Sequence, residues 1–398
     1  GPNCAPTRAS LMSGQYAPRH GIYTVNTGAR GLEKFRKLIP VKNEKNLPLS
    51  KVTMADVLKR AGYTTAHFGK WHLGNDDPYH PSKRGFDKAI VSGGRHFAPN
   101  FQTRPNVSVN PGVYLADFLT DLAVKFIEDN KHRPFFLYLC HFAVHTPIEA
   151  KQESIAKYKD KSPVGGHHHP VYAGMIDSLD QSVGRIMAKL DELTLSENTI
   201  VVFYSDNGGV GGYGNIGGST GRNITDNAPL HGGKGMLYEG GVRVPLIIRW
   251  PCVVQAGSVC REPVMGIDFY PTFLEIAGGR RSPEHQLDGE SILPLLKSAG
   301  RASLNREAIY WHFPGYLQAN IQQGTWRTRP AGSIRSGNYK LIEFFEDAHV
   351  ELYNLKDDIG ERIDLASQMP KKARQLLTQL RKWRREVGAK MPNSKADP

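Results

Sequence analysis

Apolar side chains recur along this chain with two different periods, and the stretches they mark alternate. Leu115, Phe118, Leu119, Leu122, Phe126 and Ile127 share one side of a helix predicted over 115–129. Ile176, Leu179, Val183, Ile186, Met187 and Leu190 keep the same helical period over 172–193. A short helix follows Thr53 as its cap and stops at Gly62, and another over 269–277 is ended by Gly278-Gly279. Between them lie strand-like runs. The segment 63–68 is one, and 134–144 and 198–204 are so continuously apolar that strands buried on both faces are expected. A further strand over 244–250 is stopped by Pro251. Strands alternating with helices predict an α/β fold, with a mainly parallel sheet flanked by helices. Ligands in such folds sit at the carboxyl ends of strands.

After about residue 300 the pattern changes. Short alternating runs at 333–335, 339–344 and 350–353 are joined by tight turns, and an amphipathic helix over 371–387 carries Leu376, Leu377, Leu380 and Trp383. This predicts a catalytic α/β domain over 1–300 and a small antiparallel α+β subdomain over 301–398. No apolar run approaches the length of a membrane span. The formal net charge of +13 suits an anionic substrate, although much of it lies on the solvated face of the last helix. With no zinc-finger, homeodomain or RNA-recognition pattern, nucleic acid is set aside as a partner. The 4 cysteines have no CxxC spacing. Cys140 falls in a core run, whereas Cys252 and Cys260 flank a short loop and are either bridged or two thiols. His167-His168-His169 reads as a loop run, not a metal site.

The chemistry-bearing residues cluster where these elements meet. Cys4-Ala5-Pro6-Thr7-Arg8 stands at a predicted helix start, with Cys4 and Arg8 one turn apart on one face. Pro6 suits a first turn, and a helix start offers unpaired N–H groups to an anion. Read alone, a buried cysteine beside a surface arginine is the plainer account. Lys70 and His72 point the same way if their loop is extended, or are a solvated lysine and a hydrogen-bonded histidine. His145 follows the run 134–144, where a loop histidine is as often structural. Asp206-Asn207 makes either an Asx turn or two oxygen ligands for a hard cation such as Ca²⁺, which takes about six to eight. Around Lys234, in His231-Gly232-Gly233-Lys234-Gly235, the glycines either admit an anion to the backbone or form a flexible basic loop.

In this order the blocks resemble the formylglycine-dependent sulfatases of the alkaline-phosphatase-like superfamily. The resemblance runs from Cys4-Ala5-Pro6-Thr7-Arg8 with Leu11, Ser13 and Gly14, through Gly69-Lys70-Trp71-His72-Leu73-Gly74, His145-Thr146-Pro147 and Ser205-Asp206-Asn207-Gly208. It continues through Gly233-Lys234-Gly235 and Glu239-Gly240-Gly241-Val242-Arg243-Val244-Pro245 to Tyr339-Lys340-Leu341 and Glu351-Leu352-Tyr353-Asn354-Leu355. It therefore covers essentially the whole chain.

The resemblance implies a sulfuric ester hydrolase in which a formylglycine-generating enzyme oxidises Cys4 to Cα-formylglycine, hydrated to a gem-diol. One hydroxyl attacks sulfur and the other expels sulfate. A divalent cation, Ca²⁺ with Mg²⁺ as the alternative, is held by the oxygen derived from Cys4, by Asp206 and by Asn207. It lowers the pKa of the attacking hydroxyl, whose proton Asp206 accepts. Arg8 and Lys70 steady the formylglycine. Lys70, His145 and Lys234 hold the sulfate, His145 or Lys234 protonates the leaving oxygen, and His72 assists elimination. His231, where many relatives carry arginine, has a place at the pocket rim.

The family also takes two adjacent acidic ligands from a first strand upstream of the cysteine, and nothing acidic precedes Cys4. Asp76-Asp77 lies in a variable loop past the second block and is not assigned that role. The expectation is that a separate or cleaved upstream segment supplies the strand. His80, Arg95 and His96, in the same variable region, are either substrate contacts or a solvated loop. The expected substrate is a sulfated carbohydrate and the expected location secreted or periplasmic, lysosomal in a eukaryote. The alternatives are a phosphonate or phosphate ester hydrolase using the same formylglycine, and an inactive polyanion-binding relative.

Overall fold

The computed structural model describes residues 1–211 and 224–395. The chain opens with helix α1, Cys4–Ser13, which Asn3 caps by accepting the Cys4 N–H at 3.0 Å. Gly14, at φ +64°, ends it in the left-handed conformation that favours glycine. Helix α2, Met54–Arg60, starts with a reciprocal cap. Thr53 Oγ1 accepts the Asp56 N–H, and the Asp56 carboxylate accepts the Thr53 N–H.

The central sheet is mixed. Strand β1, Thr64–Gly69, lies between β2, Lys88–Gly93, and a strand formed by Phe135–Cys140, and pairs parallel to both. Strand β3, Gln102–Arg104, adds an antiparallel edge on β2. Helix α3, Leu115–Asp129, covers the sheet over the range its apolar period marks. The Phe135–Cys140 strand is β4, and it precedes helix α4, Pro170–Glu192. His169 caps that helix, its ring nitrogen accepting the Tyr172 N–H at 3.3 Å. Strands β5, Val201–Tyr204, and β6, Leu246–Arg249, form an antiparallel pair, and α5, Phe269–Ile276, follows.

The structure departs from the sequence expectation at β4 and β5, which are half-exposed rather than buried on both faces. The cause is geometric. Among the described residues β4 pairs only with β1 and β5 only with β6. Both strands line one cavity of about 1800 Å³. The cavity has Ile176, Leu179 and Val183 of α4 in one wall and Met54, Phe269 and Phe273 in another. It is an apolar slot between two bare strand edges with helices around it.

The remaining strands are β7, Ile309–Phe313, the hairpin β8, Leu317–Asn320, and β9, Thr325–Thr328, then β10, Ala331–Ser336, β11, Tyr339–Phe344, and β12, Val350–Asn354. Strands β12, β11, β10 and β7 form an antiparallel sheet in that order. Helix α6, Pro370–Glu386, packs on it through Trp383, stacked on Tyr310 at 4.7 Å and edge-on to Tyr16 at 5.1 Å. A buried ion cluster joins this part to the first, with Lys340 Nζ 2.9 Å from both Glu239 and Glu361. Cys252 and Cys260 are separate, exposed thiols. No helix among the described residues is long and apolar enough to cross a membrane.

Candidate active site

The carboxyl ends of β1, β4 and β5 converge on the amino end of α1, where the cavity becomes polar. Cys4 is 2% exposed, and its Sγ accepts from Lys70 Nζ at 3.4 Å. Lys70 follows β1 directly, and its N–H donates to the Cys140 carbonyl at the end of β4 at 2.8 Å. One turn along α1, Arg8 donates from Nε and Nη2 to Asp206 Oδ2, at 3.1 and 2.8 Å, and from Nη1 to the Lys70 carbonyl at 2.6 Å. A single guanidinium thus ties together the helix start, the loop after β1 and the loop after β5.

Around this centre the cavity is lined by His72, His145, Asn207 and Lys234 as well. His72 reaches it differently from the extended loop expected. Its φ of +61° turns the backbone there, so Lys70 and His72 do not simply alternate along a strand. Lys234 is placed by its N–H, which donates to the Gly209 carbonyl at 2.8 Å. His231 lies outside the lining. Its ring stacks on Tyr238 at 4.2 Å and its carbonyl accepts the Gly240 N–H. His80, Arg95 and His96 are also outside. His80 caps a helical turn, Arg95 pairs with Glu149, and His96 is buried with its ring on the His145 carbonyl.

The charges set one another. Burial pushes the Asp206 carboxyl up, but Arg8 and then Lys70 more than reverse this and hold it well below the usual carboxylate range. Burial, followed by the nearby Lys70 and Arg8 charges, lowers His72 to about 3. Burial with Lys70 and Lys234 lowers His145 to about 4. The pocket therefore holds an ionised carboxylate and two neutral imidazoles beside Arg8, Lys70 and Lys234, an arrangement suited to an anion.

For a cation, the donors fit in kind. Asp206 is ionised, and Asn207 Oδ1 is buried with no hydrogen-bond partner among the described residues. They do not complete a shell, since no group of three or more His, Cys, Asp or Glu able to hold a metal occurs among the described residues.

Several residues escaped the sequence reading because only the fold brings them here. Asn3 caps α1 at the cavity wall. Asn227 knots two loops by donating to the Gly209 and Gly232 carbonyls at 3.0 and 2.9 Å. Arg30, Gln318 and Arg327 line the same cavity from sequence far apart. The glycines flanking Arg30 are the only local signal for any of these.

This site, on this fold, is that of a hydrolase acting on sulfuric esters. The sulfatase family profile matches residues 1–279, and that of the N-sulphoglucosamine sulphohydrolase C-terminal region matches residues 231–387, so the chain belongs to the sulfatase family. It is 34% identical to a sulfatase of Formosa agariphila, over 96% of this chain and 79% of that protein. It is 32% identical to the N-acetylgalactosamine-6-sulfatase of Homo sapiens, over 92% of this chain and 73% of that one. The solved structure of Ps i-CgsB in complex with k-i-k-neocarrahexaose superposes with a TM-score of 0.77 at 29% identity, covering 96% of this chain and 82% of that one. The fold and family expected from the sequence are those found.

Proposed function

We propose that this sulfatase removes sulfate from a sulfated carbohydrate, using a nucleophile made from Cys4. The observation that carries the reading is the enclosure of Cys4 by Lys70 on one side and by the Arg8–Asp206 pair on the other. Conversion of Cys4 to Cα-formylglycine by a maturation enzyme supplies the hydrated aldehyde that attacks sulfur. A divalent cation, Ca²⁺ by its oxygen donors, supplies charge stabilisation when held by Asp206, Asn207 and the oxygen on residue 4. The carbohydrate substrate draws support from the relatives' names, and a secreted, periplasmic or lysosomal location goes with it.

The chain's own residues then divide the work. Arg8 keeps Asp206 ionised and in place, so that it accepts a proton from the attacking hydroxyl. Lys70, Lys234 and His145 surround the sulfate. His145 or Lys234 gives the proton to the leaving oxygen. Neutral His72 takes up a proton as sulfate is released.

Two measurements test this. Mass spectrometry of the Cys4 peptide after expression with the maturation enzyme should show the loss of sulfur that accompanies formylglycine. Turnover should then favour aryl and carbohydrate sulfates over aryl phosphate. Phosphate preference would overturn the sulfate reading, and a wholly unconverted Cys4 would favour a binding protein.

A further inference from the structure

The polar end of the cavity extends past Cys4 and Lys234 to a second basic group that the sulfate does not need. Arg30 lies in the loop before Gly31, and its Nη2 donates to the Val25 carbonyl at 2.8 Å, which aims the guanidinium along the cavity wall. Arg327 comes from β9. Its Cδ would stand 2.9 Å from a Cβ at Gly235, so it packs directly over the residue after Lys234. The Gly235 N–H in turn donates to the Pro2 carbonyl at 2.7 Å, two residues from Cys4. Gln318, on the facing strand β8, lines the same wall, and its Oε1 is buried with no hydrogen-bond partner among the described residues. The hairpin is held against the Arg30 loop by the Gly28 carbonyl, which accepts the Tyr316 N–H at 2.7 Å, and by Trp326, which covers Gly31.

Two guanidiniums on one wall repel each other. Burial and then Arg327 lower the pKa of Arg30, with Cys4 partly opposing them. Such a pair is stabilised by an anion between its members, and planar guanidiniums suit a carboxylate or sulfate through two parallel N–H bonds. Lys70 and Lys234 are assigned to the ester sulfate beside Cys4, whereas Arg30 and Arg327 line the same cavity and take no part in that reaction as described.

We infer that Arg30 and Arg327 form a second anion subsite that recognises a further acidic substituent of the sugar chain, a carboxylate or a second sulfate. The preferred substrate class is then an oligosaccharide with at least two acidic groups. This rests on the sulfatase reading above and adds a selectivity to it.

The test compares kcat/KM for four substrates on the matured enzyme. They are 4-nitrophenyl sulfate, a monosulfated neutral oligosaccharide, and the same oligosaccharide carrying either a second sulfate or a neighbouring uronate. The wild type should prefer a doubly acidic sugar over the singly acidic one by about tenfold or more, the worth of one charge-assisted pair. Arg30→Gln and Arg327→Gln should each reduce that preference far more than they reduce aryl sulfate turnover. Arg327→Lys should retain part of it. Preference for the uronate over the disulfated sugar would identify the carboxylate as the natural group, and the reverse the sulfate. Equal rates on singly and doubly acidic sugars, or variants that slow all four substrates by one factor, would overturn the subsite while leaving the sulfatase reading intact. Failure of wild type on aryl sulfate as well would remove that reading and the subsite with it.

Discussion

Arg8 is almost fully enclosed and its main partner is the Asp206 carboxylate, so neither residue can be changed without exposing the other. Arg8→Met would leave an ionised carboxylate without its counter-charge at a site still partly open to water. The expected cost is about 2–3 kcal/mol, at the low end for a broken buried pair, read from urea denaturation. Cys4→Ala differs in kind. Ala5 and Ala9 share its helix, Asn3 still caps it, and among the described residues the thiol's hydrogen-bond partner is Lys70. Turnover should fall to background with the melting temperature nearly unchanged, and a Cys4→Ala protein that no longer folds would make the cysteine structural. Lys234→Ala probes the proton donor. Rates on a carbohydrate sulfate should fall about 10²-fold or more, and on 4-nitrophenyl sulfate far less, because a good leaving group needs no proton. An equal fall on both would move that role elsewhere. Cys4, Arg8, Lys70, Asp206 and Lys234 were legible in the sequence because each lies in a short block of distinctive composition. Arg30 and Arg327 were not, since the fold joins them across almost 300 residues, and Gly28 and Gly31 near Arg30 are the only local signal for either.

Single elements hold these side chains at their working distance. Gly69 ends β1 at φ +109°, and a Cβ there would run into the Cys140 carbonyl that accepts the Lys70 N–H. Gly69→Ala should therefore push Lys70 away from Cys4. A shift near 1 Å costs about 100-fold in rate, and kcat/KM on aryl sulfate measures it. Retention of full rate would mean that the strand end relaxes without moving Lys70. The helices were the most legible elements. Residues 115–129 and 170–192 carry long uninterrupted periods, and the observed bounds agree with or come within two residues of the reading. Strand partners were less so. The apolar run at 246–249 marks a strand, but nothing in four residues says that it pairs antiparallel to 201–204. The burial expected of 134–144 failed for another reason, because an apolar strand shows what it is suited to touch and not whether that neighbour is present.

At the scale of the molecule, buried histidines tie stability to acidity. Burial lowers His20 and His67 to about 3 and His312 to about 4, and all three are almost wholly enclosed. In the unfolded chain they titrate near 6.5. Below that pH the unfolded state binds protons that the folded state refuses, so stability is complete above about pH 6.5 and falls as the pH drops toward the folded values. A loss of a few kcal/mol between pH 7 and pH 5 is expected in denaturant titrations at fixed ionic strength. A flat profile would show that these rings titrate in the native state as they do in the unfolded chain. The edge contact of Trp383 with Tyr16 joins the two ends of the chain, and the Lys340 cluster ties the C-terminal sheet to the Glu239 segment, couplings to which no stretch's periodicity points.

The two bare edges of β4 and β5 have a consequence for solution behaviour. An unpaired strand edge is a template on which other chains add strands, and proteins normally blunt such edges with charge, proline or a covering segment. Neither Phe135–Cys140 nor Val201–Tyr204 contains a charge or a proline. A polypeptide of residues 1–398 with nothing seated between them should therefore self-associate as concentration rises, through intermolecular strand pairing rather than through the polar pocket. Light scattering across a dilution series, together with the β-sheet infrared band, would follow it. A particle size independent of concentration would mean that the edges are closed to other chains.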